Sequence, residues 1–367
     1  MKKFLALFLA AVMLLSVAAY ASADDDAMRV AMITDYGDIT DQSFNQTTYE
    51  AAKAWCEANG VDFTYYKPAG DSTAERVAMV EKADDEDYNV ILMPGYAFGA
   101  TIAEVQGEYE NTKFVALDVS AGDLGGAEVG KNVYCAVYQE ELCGYMAGYA
   151  AVKLGYKHLG FLGGMAVPAV VRYGYGYVQG INAAAEEMGI AGEVTVEYVY
   201  GNQFYGDADI TAYMDNWYQT LGVQVVFACG GGIFTSAGEA AAKVDNAKVI
   251  GVDVDQAGTI NGLYGEGLTL TSAMKGLGAT VDTLLTAIKD GKWDEYAGKI
   301  DNLGLVGNDP AANYVQIAPS TLFSDAFTAD DYAALVAKMF AGEITVSAAI
   351  DAMPATTVTV NDLGTVK

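Results

Sequence analysis

The 367-residue chain has one histidine, His158, and four cysteines, Cys56, Cys135, Cys143 and Cys229. A single histidine leaves little for acid–base or metal chemistry. It stands at the start of a predicted strand, a structural position, and no G-x-S-x-G elbow exists to build a Ser-His-Asp site around it. No two cysteines form C-x-x-C, which argues against zinc and thioredoxin-type redox sites. Their apolar neighbours, as in VYCAVY and VVFACGG, predict buried free thiols, with a Cys135–Cys143 disulfide the alternative in an exported protein. Basic residues are scarce, 20 against 48 acidic, for a formal net charge of −28. Nucleic acid and anionic membrane surfaces are poor partners for such a chain. No apolar run beyond Ala19 reaches transmembrane length. Pro- or Ser-rich linkers, low-complexity tracts and solenoid repeats are also missing. None of these patterns calls for a cofactor or a bound metal.

What is present begins with a leader. Lys2 and Lys3 precede an apolar run from Phe4 to Ala19, and Ala21-Ser22-Ala23 supplies an A-x-A cleavage pattern before Asp24-Asp25-Asp26. This predicts a secretory signal peptide over residues 1–23 and an exported, soluble mature protein. At roughly 150 residues per domain, the remaining length suits two domains.

Short apolar runs alternate with amphipathic segments. Strands are expected at Val30–Ile33, Val90–Met93, Phe114–Asp118, Val133–Val137, Leu159–Leu162, Val223–Ala228, Val249–Val252 and Leu268–Leu270. Helices are expected at Phe44–Asn59, Ser72–Ala83, Glu140–Leu154, Ala169–Met188 and Met274–Lys289, the last opened by Lys275. Strands alternating with helices at this spacing mean βαβ units on parallel sheets. Two such series in tandem predict an α/β fold of two doubly wound lobes with a ligand cleft at their strand ends.

The chain is organised around Thr34–Gln46, TDYGDITDQSFNQ, between the first strand and the first helix. Ser43 and Gln46 have capping-box spacing, and Gly37 lets the loop turn. Asp35, Asp38 and Asp41 sit where free backbone N–H groups favour carboxylates or polar ligands; equally, such aspartates serve as turn formers and caps. Asp118 and Asp253 end strands as Asp35 follows one. Phe44, Phe204 and Tyr205 lie in loops at the same edges. Aromatic faces can sandwich a flat ring, carboxylates accept from sugar hydroxyls or ring N–H groups, and a lysine donates to sugar oxygens. That chemistry suits a nucleoside.

Other motifs weaken on inspection. Gly125-x4-Gly130-Lys131-Asn132 nearly spells a P-loop, but Asn replaces the Mg²⁺-binding hydroxyl and a strand follows where a helix is needed. The aspartates at every third residue lack both the adjacent pair of nucleoside hydrolases and the EF-hand spacing. Gly230-Gly231-Gly232 serves either a close backbone approach to ligand or a tight strand–helix turn.

Taken together, several segments resemble the basic membrane protein family, the PnrA-like substrate-binding proteins of ABC transporters for nucleosides. They are TDYGDITDQSFNQ, GYAF at Gly95–Phe98, FVALD at Phe114–Asp118, VYQEELCGYMAGYAA at Val137–Ala151, GGMAVP at Gly163–Pro168, VIGVDVDQ at Val249–Gln256 and TSAMK at Thr271–Lys275. The resemblance implies a type I periplasmic-binding fold and a monomeric, non-enzymatic receptor that delivers a nucleoside, a purine nucleoside by preference, to an ABC permease. Carried over by position, Asp35 and Asp118 would address the base, Phe44 would stack on it, and Asp253 and Lys275 would hold the ribose. Phe204 would be the second stacking ring, with Tyr205 its rival. A first lobe over 28–148, completed by 258–305, and a second over 149–257, completed by 306–345, would leave 346–367 as a tail. The chain has ASA where the family commonly carries a lipobox cysteine. A pentose receptor on the same fold and a nucleoside-cleaving enzyme are the alternatives.

Overall fold

The computed structural model describes residues 27–366; the leader expected over 1–23 lies outside them. The first sheet contains β1 (Arg29–Ile33), β2 (Asp62–Tyr66), β3 (Val90–Pro94), β4 (Lys113–Leu117), β5 (Val133–Tyr138) and β11 (Lys299–Leu303), in the order β11-β5-β4-β3-β1-β2. All its pairings are parallel. The second sheet has the order β12-β10-β9-β8-β6-β7-β13. It is built from β6 (His158–Gly163), β7 (Thr195–Tyr200), β8 (Val225–Cys229), β9 (Lys248–Asp253), β10 (Thr269–Lys275), β12 (Val315–Ile317) and β13 (Thr359–Thr365). Only β12 runs antiparallel to its neighbour. β3 and β8 are buried at every position, the mark of parallel strands covered on both faces and the reason they read as unbroken apolar runs.

Helix α1 (Phe44–Asn59) has the expected bounds and ends on Gly60 in the left-handed conformation, where glycine has no Cβ penalty. Helices α2 (Thr73–Asp85) and α3 (Phe98–Val105) complete the first βα series. Helix α4 (Glu140–Lys153) packs along α5 (Pro168–Glu187). A Cβ on Gly144, Gly148, Gly176 or Gly180 would come within 2.0–2.3 Å of a carbonyl oxygen of the facing helix. The two helices therefore meet backbone to backbone, and this brings the first turn of α4 against the second turn of α5. Helices α6 (Ala208–Asp215), α7 (Phe234–Ala241) and α8 (Ala257–Tyr264) continue the second lobe.

The lobe boundaries differ from the sequence expectation. The stretch 258–305 divides, because β10 joins the second sheet whereas α9 (Leu277–Lys289) and β11 return to the first lobe. Trp55 of α1 donates through Nε1 to Thr286 Oγ1 of α9 at 2.9 Å. Likewise α4 packs on β10 and β12, so the second lobe begins at residue 140 and not at 149. The expected tail is not one. Residues 359–365 pair with β7 as a parallel edge strand, and α10 (Ala329–Phe340) precedes them behind a capping box of Thr328 and Asp331.

The chain thus crosses between lobes three times, at 138–140, 275–277 and 304–314. The crossings are tied together: Gln139 N donates to Leu303 O at 2.9 Å, Gly276 N to Tyr314 O at 2.7 Å, and Tyr314 N to Gly304 O at 3.0 Å. All four cysteines are free and buried. Asn132, in the P-loop-like stretch, donates to the carbonyls of Gln106, Tyr109 and Thr112 and leads into β5. It is a loop plug. His158 Nε2 lies 3.0 Å from Glu197 Oε1, a contact between neighbouring strands.

Candidate ligand-binding site

The carboxyl ends of β1, β3 and β4 face those of β6, β8 and β9 across a cavity of about 650 Å³, a size that suits a small organic ligand. All six residues picked out from sequence line it: Asp35, Phe44, Asp118, Phe204, Asp253 and Lys275.

Asp35 is buried, and its Oδ1 accepts from Tyr36 N and Gly37 N, both at 2.7 Å. Burial raises its carboxyl to about 6 even though these bonds oppose the shift. Gly37 is needed for room more than for turning, since a Cβ there would meet Asn45 Nδ2 at 2.2 Å. The helix cap differs from the expected box. Asp41 takes that role, with Oδ1 accepting from Ser43 N at 2.9 Å and Gln46 N at 3.1 Å, and Oδ2 accepting from Asn45 N at 2.9 Å. A carboxylate outcompetes a hydroxyl for several N–H groups at a positive helix end. Ser43 Oγ is thereby freed to donate across the cleft to Asp253 Oδ2 at 2.6 Å.

Asp118 and Asp253 both adopt left-handed backbone angles, φ +61 and +65, a conformation aspartate tolerates better than most residues. Between them lies Lys275, which ends β10 instead of opening a helix: its run TLTSAMK pairs with β9 and β12, and Gly276 precedes the helix. Lys275 Nζ is 2.5 Å from Asp118 Oδ2, 3.5 Å from Glu140 Oε1 and 3.7 Å from Asp253 Oδ1. Burial alone would lower the amine, but the three carboxylates outweigh it and hold it above its ordinary value. Its ammonium also sits 4.7 Å from the centre of the Phe44 ring. Burial raises Asp253 and Glu140, opposed in each case by neighbouring cations.

Phe204 stacks on Tyr36 of the other lobe, with centroids 6.1 Å apart and planes at 24°. A flat ring inserted between two others needs about 7 Å, twice a van der Waals contact, so no base fits between this pair. Tyr205, the rival, is 63% exposed. Of the Gly230–Gly232 run, Gly230 meets the sheet edge of β6 closely: a Cβ there would lie 2.9 Å from Gly164 Cα.

Residues 28–312 match the model of the Bmp family, described as ABC transporter substrate-binding protein PnrA-like. The chain belongs to that family. A relative from Lactococcus lactis subsp. cremoris, ABC transporter nucleoside-binding protein BmpA, is 27% identical over 72% of this chain and 76% of its own. Among solved structures, a solute-binding protein of an ABC transporter system from Aeropyrum pernix has a TM-score of 0.66 at 20% identity, covering 87% of both chains. One from Conexibacter woesei has 0.65 at 21% identity, covering 88% of this chain and 99% of that one. Family and neighbours are solute-binding proteins and not enzymes; such proteins hold a small-molecule ligand and work with a permease outside the cytoplasm. No helix among the described residues is long and apolar enough to cross a membrane.

Three residues of this Bmp-family site escaped sequence reading: Tyr36, Glu140 and Arg172. Arg172 Nε donates to Glu140 Oε2 at 2.6 Å. The available signal was Glu140-Glu141 opening a helix otherwise too apolar to lie on a surface.

Proposed function

We infer that this protein captures a nucleoside, a purine nucleoside by preference, and delivers it as a monomer to an ABC permease. The observation that carries this reading is the group around Lys275, where a buried ammonium, two strand-end aspartates and the Phe44 ring converge on one cavity. Asp253 and Lys275 are suited to vicinal sugar hydroxyls. Asp35, with Oδ1 bonded to backbone, has Oδ2 left for a base N–H. Asp118 both pairs with Lys275 and keeps Oδ1 without a protein partner, so it can address sugar and base together. Phe44 offers the stacking face. The name of the Lactococcus relative supports the same ligand class.

Incubating the protein with adenosine, inosine, uridine and ribose tests this. Stoichiometric nucleoside binding without release of free base is expected, with a rise in melting temperature because only the folded state binds. Turnover to free base, or ribose binding without nucleoside binding, would overturn it.

A further inference from the structure

Arg172 is the one arginine lining the cavity, and the use of its guanidinium is incomplete. Its Nε edge is taken by Glu140, which is fully buried. The two terminal nitrogens donate to no acceptor among the described residues. Of five N–H donors in the guanidinium fork, four therefore remain, on a side chain 17% exposed that borders the cavity. The rigid fork makes this orientation durable: Glu140 fixes one edge and the close α4–α5 packing fixes the stem.

The chemistry of the missing acceptor follows from charge. Seven aspartates line the cavity against two basic residues, Arg172 and Lys275. Both cations are already in ion pairs. An anion arriving at Arg172 would meet a neutralised guanidinium and the field of the surrounding carboxylates, whereas a neutral oxygen gains the donors without that repulsion. Place follows from Glu140, which touches both Arg172 and Lys275. Arg172 thus lies at the sugar end of the cavity. It makes no contact with Asp253, the residue suited to the vicinal hydroxyls, which leaves it the remaining exocyclic oxygen.

We propose that the terminal nitrogens of Arg172 form a subsite for an uncharged oxygen acceptor, the 5′-hydroxyl of the nucleoside, and that the neighbouring carboxylates exclude a 5′-phosphate. The proposal rests on the nucleoside reading above.

Calorimetry with adenosine, 5′-deoxyadenosine and adenosine 5′-monophosphate tests it on the wild type, Arg172→Lys and Arg172→Met. Arg172→Lys retains a cation for Glu140 and guards against loss of fold, which melting curves check. The wild type should prefer adenosine over 5′-deoxyadenosine by about tenfold or more, the worth of a hydrogen bond to a charged group. Both variants should lose most of that ratio, which is read within each variant so that a general loss of affinity, falling on both ligands alike, cancels. An unchanged ratio in both variants overturns the subsite and leaves the nucleoside reading standing. Monophosphate binding as tight as adenosine overturns the exclusion. If the wild type binds neither nucleoside, the ligand class itself is wrong and the subsite falls with it.

Discussion

Lys275 Nζ lies 2.5 Å from Asp118 Oδ2, although Lys275 ends a strand of the second sheet and Asp118 follows a strand of the first. The pair bridges the lobes at the inner wall of the cleft, beside two of the three crossings. Removing one partner of a buried ionic group leaves the rest uncompensated. Lys275→Met should therefore destabilise the protein by about 3–5 kcal/mol as well as abolish binding. Urea unfolding measures the first effect; a loss below about 1 kcal/mol, the worth of an exposed pair, would mean that the network is open to water.

Phe44 and Asp253 should fail differently. Phe44→Ala removes a stacking face and should cost about 1–3 kcal/mol for any nucleoside, with ribonucleosides keeping their advantage over deoxy analogues. Asp253→Asn removes a charged acceptor that also receives Ser43 Oγ, so that advantage should shrink. Equal proportional losses for both ligand types in both variants would refute the division of labour.

Asp35 should make stability depend on pH. Burial raises its carboxyl from 3.8 to about 6, so within that window the folded protein keeps a proton that the unfolded chain releases. Its contribution to stability therefore falls as pH rises from the lower value to the upper. Asp35→Asn keeps an acceptor for Tyr36 N and Gly37 N, and should gain on the wild type by up to about 3 kcal/mol across the window. A melting-temperature difference that is the same at its acid and neutral ends would contradict this.

Closure should be visible in solution. Ser43 with Asp253, and Gln256 Nε2 with the Gln42 carbonyl at 3.0 Å, join the lobes directly. Gln42 itself is left-handed, φ +57, and is held from both lobes, by Gln46 Oε1 of its own lobe and by Gln256 of the second. Small-angle scattering should show a smaller radius of gyration with nucleoside than without; identical radii at saturation would count against hinge closure.

Gly176→Ala reverses the usual rule. In an exposed helix this change stabilises by about 1 kcal/mol. Here the new Cβ would sit 2.1 Å from the Glu141 carbonyl oxygen, forcing α4 and α5 apart at a cost of about 1–3 kcal/mol. An unchanged melting temperature would show that the helices can separate freely.

The sequence carried much of this through local signals. β3, β8 and β9 are apolar runs, α1 ends at a glycine, and strand-end aspartates mark the ligand edge. What stayed hidden depends on partners distant in the chain. Met274 and Lys275 read as the start of a helix until β9 and β12 are seen to flank them. Arg172 resembles a surface residue of an amphipathic helix unless Glu140 is known to lie opposite. β13, with its polar TVNDLGT, has no apolar alternation because it is a mostly exposed edge. Ser43 has cap spacing, and only the geometry reveals that Asp41 displaces it.

The three crossings also set the order in which the molecule can be made. Strand β11 joins the first sheet beside β5 only after β6 to β10 have been synthesised, so neither lobe is one continuous piece of chain. A fragment ending before β11 would expose the edge of β5, a strand buried at five of its six positions and a template for wrong pairing. Such interleaved, non-local pairing makes folding slow. Excised lobes should aggregate where the whole chain folds.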